Sequence, residues 1–174
     1  IAWAPISKQQ AAFLSCPANE VFYGGSRGGG KTDAALGKYA LKASQHGKAV
    51  GIFFRSSRED LREAIARSAD IYGPLGAKYA DRQWIFPSGA RLRFEYLENV
   101  KDARNYQGHS YTDLFFEELT NWPNPEPINL LRATLRSATG IPVQFHATGN
   151  PGGPGHQWVK ARYIDPAPEG NKII

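Results

Sequence analysis

The chain has 174 residues, 41% of them hydrophobic and 21% charged, which is the balance of a folded globular domain and excludes wholesale disorder. Its single cysteine, Cys16, excludes an internal disulfide and a cysteine-cluster zinc site, and no run approaches the ~20 apolar residues of a membrane helix. Lysine and arginine outnumber aspartate and glutamate by 21 to 16, an excess that suits a nucleic-acid partner without requiring one. The start has neither the basic segment nor the apolar run of a signal peptide. Because methionine is absent altogether, the sequence reads as one domain, residues 1–174, cut from something longer.

In chain order, Val21 to Tyr23 is a short β-favouring run that ends at a glycine cluster, Gly24 to Gly30. The Ala- and Leu-rich stretch from Thr32 to Ser44 then predicts a helix. Ala49 to Phe54 is apolar throughout, as expected of a strand covered on both faces. Ser57, with Asp60 three residues on, opens a second helix whose Leu61, Ala64, Ile65 and Tyr72 share one face. Gln83–Phe86 and Arg91–Tyr96, joined by Pro87-Ser88-Gly89-Ala90, predict a β-hairpin. Leu114 to Phe116 is a further buried strand, ended by Glu117 and Glu118. Ile128, Leu131 and Leu135 mark a helix, Val143 to Thr148 another strand, and the chain from Pro151 is rich in Gly and Pro. Strands alternating with helices predict an α/β fold with a mainly parallel sheet.

Gly25-Ser26-Arg27-Gly28-Gly29-Gly30-Lys31-Thr32 satisfies the phosphate-loop pattern G-x-x-x-x-G-K-[ST] between a strand and a helix. Glycines let the backbone curl so that N–H groups converge on a phosphate. Lys31 is expected to meet the β- and γ-phosphates and Thr32 to ligate Mg²⁺, with the helix N-terminus adding partial positive charge. Hydrolysis also needs carboxylates at the carboxyl end of a neighbouring strand. Glu117 is expected to hold hydrated Mg²⁺ and Glu118 to act as general base toward water. A solvated strand end or helix start is the plainer reading of the same pair.

Further segments complete a pattern. Pro5-Ile6-Ser7-Lys8-Gln9-Gln10-Ala11-Ala12-Phe13-Leu14 resembles the adenine-reading glutamine segment that precedes the phosphate loop in terminases and related helicases. Thr148-Gly149-Asn150 is similar in type and position to the motif that couples hydrolysis to movement, and Pro151 to Trp158 looks like the sequence that follows it in large terminase subunits of tailed phages. Together these run from Pro5 to about Ile164, so the resemblance covers nearly the whole chain.

That resemblance implies a P-loop NTPase fold of the RecA-like kind with a β-hairpin insertion, using ATP and Mg²⁺. It implies the N-terminal ATPase half of a DNA-packaging motor, which drives double-stranded DNA into a viral procapsid. The implied partners are the portal protein, the small terminase subunit and further copies in a homo-oligomeric ring. The implied location is the host cytoplasm at the procapsid portal, away from any membrane. It also implies an adenine contact for Gln10, with Gln9 as the register alternative, and γ-phosphate sensing by Asn150. Arg27, inside the phosphate loop, is expected to touch the γ-phosphate in cis, and Arg104, in a loop, to offer a finger to the neighbouring subunit. Arg132 and Arg136 are weaker finger candidates. The family's usual Asp-Glu pair is Glu117-Glu118 here. Nothing resembles the acidic cluster of the family's nuclease domain, so no DNA cleavage is expected of these residues. A helicase-like ATPase and a nucleotide-binding module without turnover are the alternatives. No compact basic run marks a DNA groove, with Lys38, Lys42, Lys48, Arg55, Arg58 and Arg62 as scattered candidates.

Overall fold

The structure, a computed structural model, describes residues 3–25, 27, 30–165 and, as backbone, 171–173. After α1 (Lys8–Ser15) the chain forms β1 (Glu20–Tyr23), α2 (Lys31–Gln45), β2 (Val50–Arg55), α3 (Arg58–Tyr72), β3 (Lys78–Ala80) and β4 (Gln83–Ile85). It continues through β5 (Arg91–Tyr96), α4 (Val100–Arg104), β6 (Asp113–Phe116), α5 (Glu126–Arg132), β7 (Gln144–Thr148), α6 (His156–Val159) and β8 (Asn171–Ile173). Among the described residues these strands make one eight-stranded sheet in the order β3-β4-β5-β2-β6-β7-β1-β8. Only β3–β4 and β4–β5 pair antiparallel, so the expected mainly parallel α/β sheet with a hairpin is what forms.

The continuous apolar runs are explained by burial on both faces of the central strands. Along β6, Phe115 packs with Phe13, Tyr39, Phe53 and Leu61 under α1, α2 and α3. Its neighbours Leu114 and Phe116 turn to the other face, with Phe54, Trp122, Ile128, Leu131 and Tyr163. Ser57 caps α3 by accepting from the Asp60 N–H at 3.2 Å, as the sequence spacing predicts.

Three elements depart from the expectation. The sequence carries no signal for β3, because its Lys78-Tyr79-Ala80 run is exposed and its turn uses Asp81 and Arg82 at φ 53° and 58° in place of glycine or asparagine. Arg104 lies in the last turn of α4, not in a loop. The helix is capped by Asn99, whose side chain accepts from the Asp102 N–H at 3.1 Å. Leu135 falls outside α5, which ends at Arg132, and it follows in a bridge to Tyr111.

The end of the sheet remote from the phosphate loop carries a buried polar cluster. Asp113 Oδ1 lies 3.3 Å from Lys42 Nζ and 3.1 Å from His146 Nε2, and its Oδ2 accepts from the Thr112 hydroxyl at 2.8 Å. Burial tends to raise the Asp113 pKa, but the bonds and charges of His146, Lys42 and Thr112 outweigh it and hold it below the usual range. His146 is fully buried and its pKa is drawn down to about 4, chiefly by burial, with the Asp113 bond opposing. Between that value and the ordinary 6.5, the unfolded chain binds the proton that the folded chain refuses. Stability therefore rises with pH across this window and is lost on acidification, by up to about 3 kcal/mol at the full shift. Urea unfolding between pH 4.5 and 7 measures it. His146→Gln, which keeps a donor for Asp113 but does not titrate, is expected to flatten the slope.

Candidate nucleotide site

The carboxyl ends of β1, β7, β6 and β2 are level. Tyr23 pairs with Thr148, Phe116 with Ala147, and Phe54 with Phe116. The residues that follow, Gly24, Gly149, Glu117 and Arg55, therefore line one edge of the sheet. Open parallel sheets bind their ligands at this edge. β7 stands between the strand before the phosphate loop and the strand before the acids, so Asn150 emerges between them.

Gly25 sits at φ 124° and Gly30 at φ 66°, values that favour glycine. Gly30 is also the N-cap of α2, and a Cβ there would collide with the Gln10 amide. Ser26, Gly28 and Gly29, expected phosphate ligands, lie outside the described residues. Arg27 is exposed on the loop. Lys31 opens α2 with its Nζ 3.3 Å from the Gly25 carbonyl, and it is largely buried. Burial lowers its pKa, opposed by the nearby Glu118 and Glu117 carboxylates.

The Thr32 hydroxyl donates to Glu117 Oε1, which joins the phosphate-loop helix to the acid strand. Glu117 is 3% exposed. Burial raises its pKa, while Arg55 and the Thr32 hydroxyl pull it down. Its Oε2 has no hydrogen-bond partner among the described residues and faces Arg55 Nη1 at 3.2 Å. A threonine hydroxyl beside an oxygen of a buried carboxylate is the hard donor set that Mg²⁺ prefers, so Thr32 and Glu117 fit that ion.

Glu118 has a different environment. Its backbone is left-handed, at φ 55° and ψ 59°, which costs a non-glycine residue about 1–3 kcal/mol. The Thr148 hydroxyl accepts from its N–H at 3.2 Å, and Asn121 Nδ2 donates to its Oε2 at 3.1 Å. The carboxylate remains 38% exposed, open to solvent. Asn150 follows β7 with a buried Oδ1 that has no partner among the described residues, while its carbonyl accepts from the Thr120 hydroxyl at 3.4 Å.

Gln10 is buried. Its Nε2 donates to the Gly30 carbonyl at 2.9 Å and its Oε1 accepts from the Ile6 N–H at 2.7 Å. The amide thus ties the preceding segment to the end of the phosphate loop and keeps one N–H for another acceptor. Arg104 is exposed at the end of α4. Arg132 instead pairs with Glu20 at 2.9 Å, and Arg136 donates to the His109 carbonyl at 3.0 Å. Two scattered DNA candidates are corrected. Lys38 is buried against the Phe13 ring and the Cys16 carbonyl, and Arg55 is buried between the acids, because their strand and helix faces turn inward.

Arg55, Thr148 and Asn121 belong to the site as partners of the acids, a role the sequence reading did not assign. Arg55 ends the apolar run of β2 as Glu117 ends that of β6, and the strand register of the folded sheet makes the two neighbours.

A glycine loop leading into a helix, with acids on a non-adjacent parallel strand, defines a P-loop NTPase fold. Residues 22–162 match the family "Terminase large subunit, T4likevirus-type, N-terminal". The chain belongs to that family. Among solved structures it is similar to the large terminase of a thermophilic bacteriophage, with TM-score 0.79 and 20% identity over 98% of this chain and 45% of that one. The HK97 bacteriophage large terminase gives TM-score 0.67 and 13% identity over 98% and 39%. The N-terminal domain of the DNA packaging ATPase from bacteriophage phi29 gives TM-score 0.61 and 14% identity over 86% and 84%. The chain thus spans less than half the length of the two large terminases. No curated protein matches the sequence.

Proposed function

We propose that this domain hydrolyses ATP to drive double-stranded DNA into a viral procapsid. The observation that carries the reading is the convergence at one sheet edge of Lys31, the Thr32–Glu117 hydrogen bond and the partly exposed Glu118. Family membership supports packaging over a helicase-like role. The large terminase of the thermophilic bacteriophage has been solved with ADP and with ATP-gamma-S, and a phi29 structure is described as a viral genome packaging motor assembly.

In this reading Lys31 and the loop N–H groups bind the triphosphate, and Thr32 and Glu117 hold Mg²⁺. The ion would supply charge neutralisation on the phosphate oxygens. Glu118 takes a proton from the attacking water, oriented by Thr148 and Asn121. Asn150 offers its unpartnered amide oxygen to that water or to a protonated group beside the γ-phosphate. Gln10 lends its remaining N–H to an adenine. Arg27 meets the γ-phosphate in cis, and Arg104 serves the neighbouring copy of a homo-oligomeric ring. The portal protein and small terminase subunit are the further partners, in the host cytoplasm. No helix among the described residues is long and apolar enough to cross a membrane.

The test is ATP turnover by the full-length protein with and without linear duplex DNA, alongside protection of DNA from nuclease by purified procapsids. Turnover should rise with duplex and protection should require ATP. Hydrolysis indifferent to DNA, with no protected DNA, would overturn the packaging role.

A further inference from the structure

Two neighbouring carboxylates at a polyphosphate site raise an electrostatic problem, since they repel each other and the incoming anion. Arg55 answers it by position. It ends β2, where the Phe54–Phe116 pairing sets it beside Glu117. Its guanidinium is buried, with Nη1 3.2 Å from Glu117 Oε2 and 3.7 Å from Glu118 Oε1, and its Nε meets the Asp60 carbonyl at 3.4 Å. The two oxygens of Glu117 are thereby divided, Oε1 to the Thr32 hydroxyl and Oε2, without a hydrogen bond among the described residues, to Arg55. A buried arginine aimed at both acids of one site is not a surface residue for DNA. The N-terminus of α3 is capped separately, by Ser57.

We propose that Arg55 is a positioning residue of the nucleotide site. It is the resident counter-charge that keeps Glu117 and Glu118 side by side and shields an incoming polyphosphate from them. The inference rests on the nucleotide-hydrolase reading above. A nucleotide that arrives without a divalent ion meets the acids with the protein's own cations, Arg55 between them, to offset them. A nucleotide that arrives with the ion carries its own offset. Removing Arg55 therefore weakens metal-free binding much more than metal-bound binding, because charge repulsion at short range in a partly buried site is weakly screened. An ion pair with a merely structural role would lower stability and leave that difference untouched.

The experiment measures the dissociation constant of fluorescent mant-ADP with Mg²⁺ and with EDTA, and thermal unfolding confirms that each variant is folded. The ratio of the EDTA value to the Mg²⁺ value should rise by about tenfold or more in Arg55→Gln and stay within about threefold of the parent in Arg55→Lys, which keeps the charge. An unchanged ratio in folded Arg55→Gln overturns the proposal. If that variant does not fold, Arg55→Gln combined with Glu118→Gln removes one charge of each sign. A ratio within about threefold of the parent there supports the charge balance, and a tenfold departure overturns it. A parent protein that binds mant-ADP under neither condition overturns the hydrolase reading, and this inference with it.

Discussion

Replacing Lys31 with alanine is expected to lower the ATPase kcat by about 100- to 1,000-fold, the usual cost of removing one preorganised donor from a developing anion. The side chain is held ready, largely buried against its own loop at 3.3 Å from the Gly25 carbonyl. Burial disfavours its charged form, and the neighbouring acids offset only part of that. Thermal unfolding of the same variant separates loss of the ammonium from loss of the fold. A fluorescent-nucleotide titration should show weaker binding in the same samples. Parent-like turnover in Lys31→Ala would remove the lysine from the chemistry.

Glu118→Gln separates binding from the chemical step. Glutamine keeps a carbonyl oxygen to accept from Asn121 Nδ2, and the Thr148 contact to the backbone N–H does not depend on the side chain. Nucleotide affinity should hold or improve, while kcat falls by about 100- to 10,000-fold, the range for a positioned general base. Single-turnover hydrolysis with Mg²⁺–ATP measures the step directly. Turnover equal to the parent's would assign the base elsewhere than Glu118.

These two residues differ in environment although they are adjacent in sequence. Glu117 continues the strand direction, its N–H donating to the Phe54 carbonyl at 3.1 Å, and is buried. Glu118 turns out of the sheet in a left-handed conformation. The dipeptide identifies an acid pair. Which member is enclosed and which reaches solvent depends on where the sheet ends.

Much of the fold was readable because each element is locally consistent. The phosphate-loop spacing, the Ala-rich helix after it and the apolar β2 and β6 runs all point to a parallel sheet with its ligand edge at the strand ends. Residue chemistry alone determined Lys31, Thr32 and the Glu117-Glu118 pair as site candidates. Tertiary structure decided what periodicity does not encode. Strand register set Arg55 beside Glu117, buried between acids, where an isolated arginine after an apolar run looks solvated. Long-range contact buried Gln10 against Gly30, and inward-facing helix geometry buried Lys38. In each case the deciding interaction joins residues far apart in sequence, and burial turns a polar side chain that water would otherwise hold into a partner for whatever group the fold brings within reach.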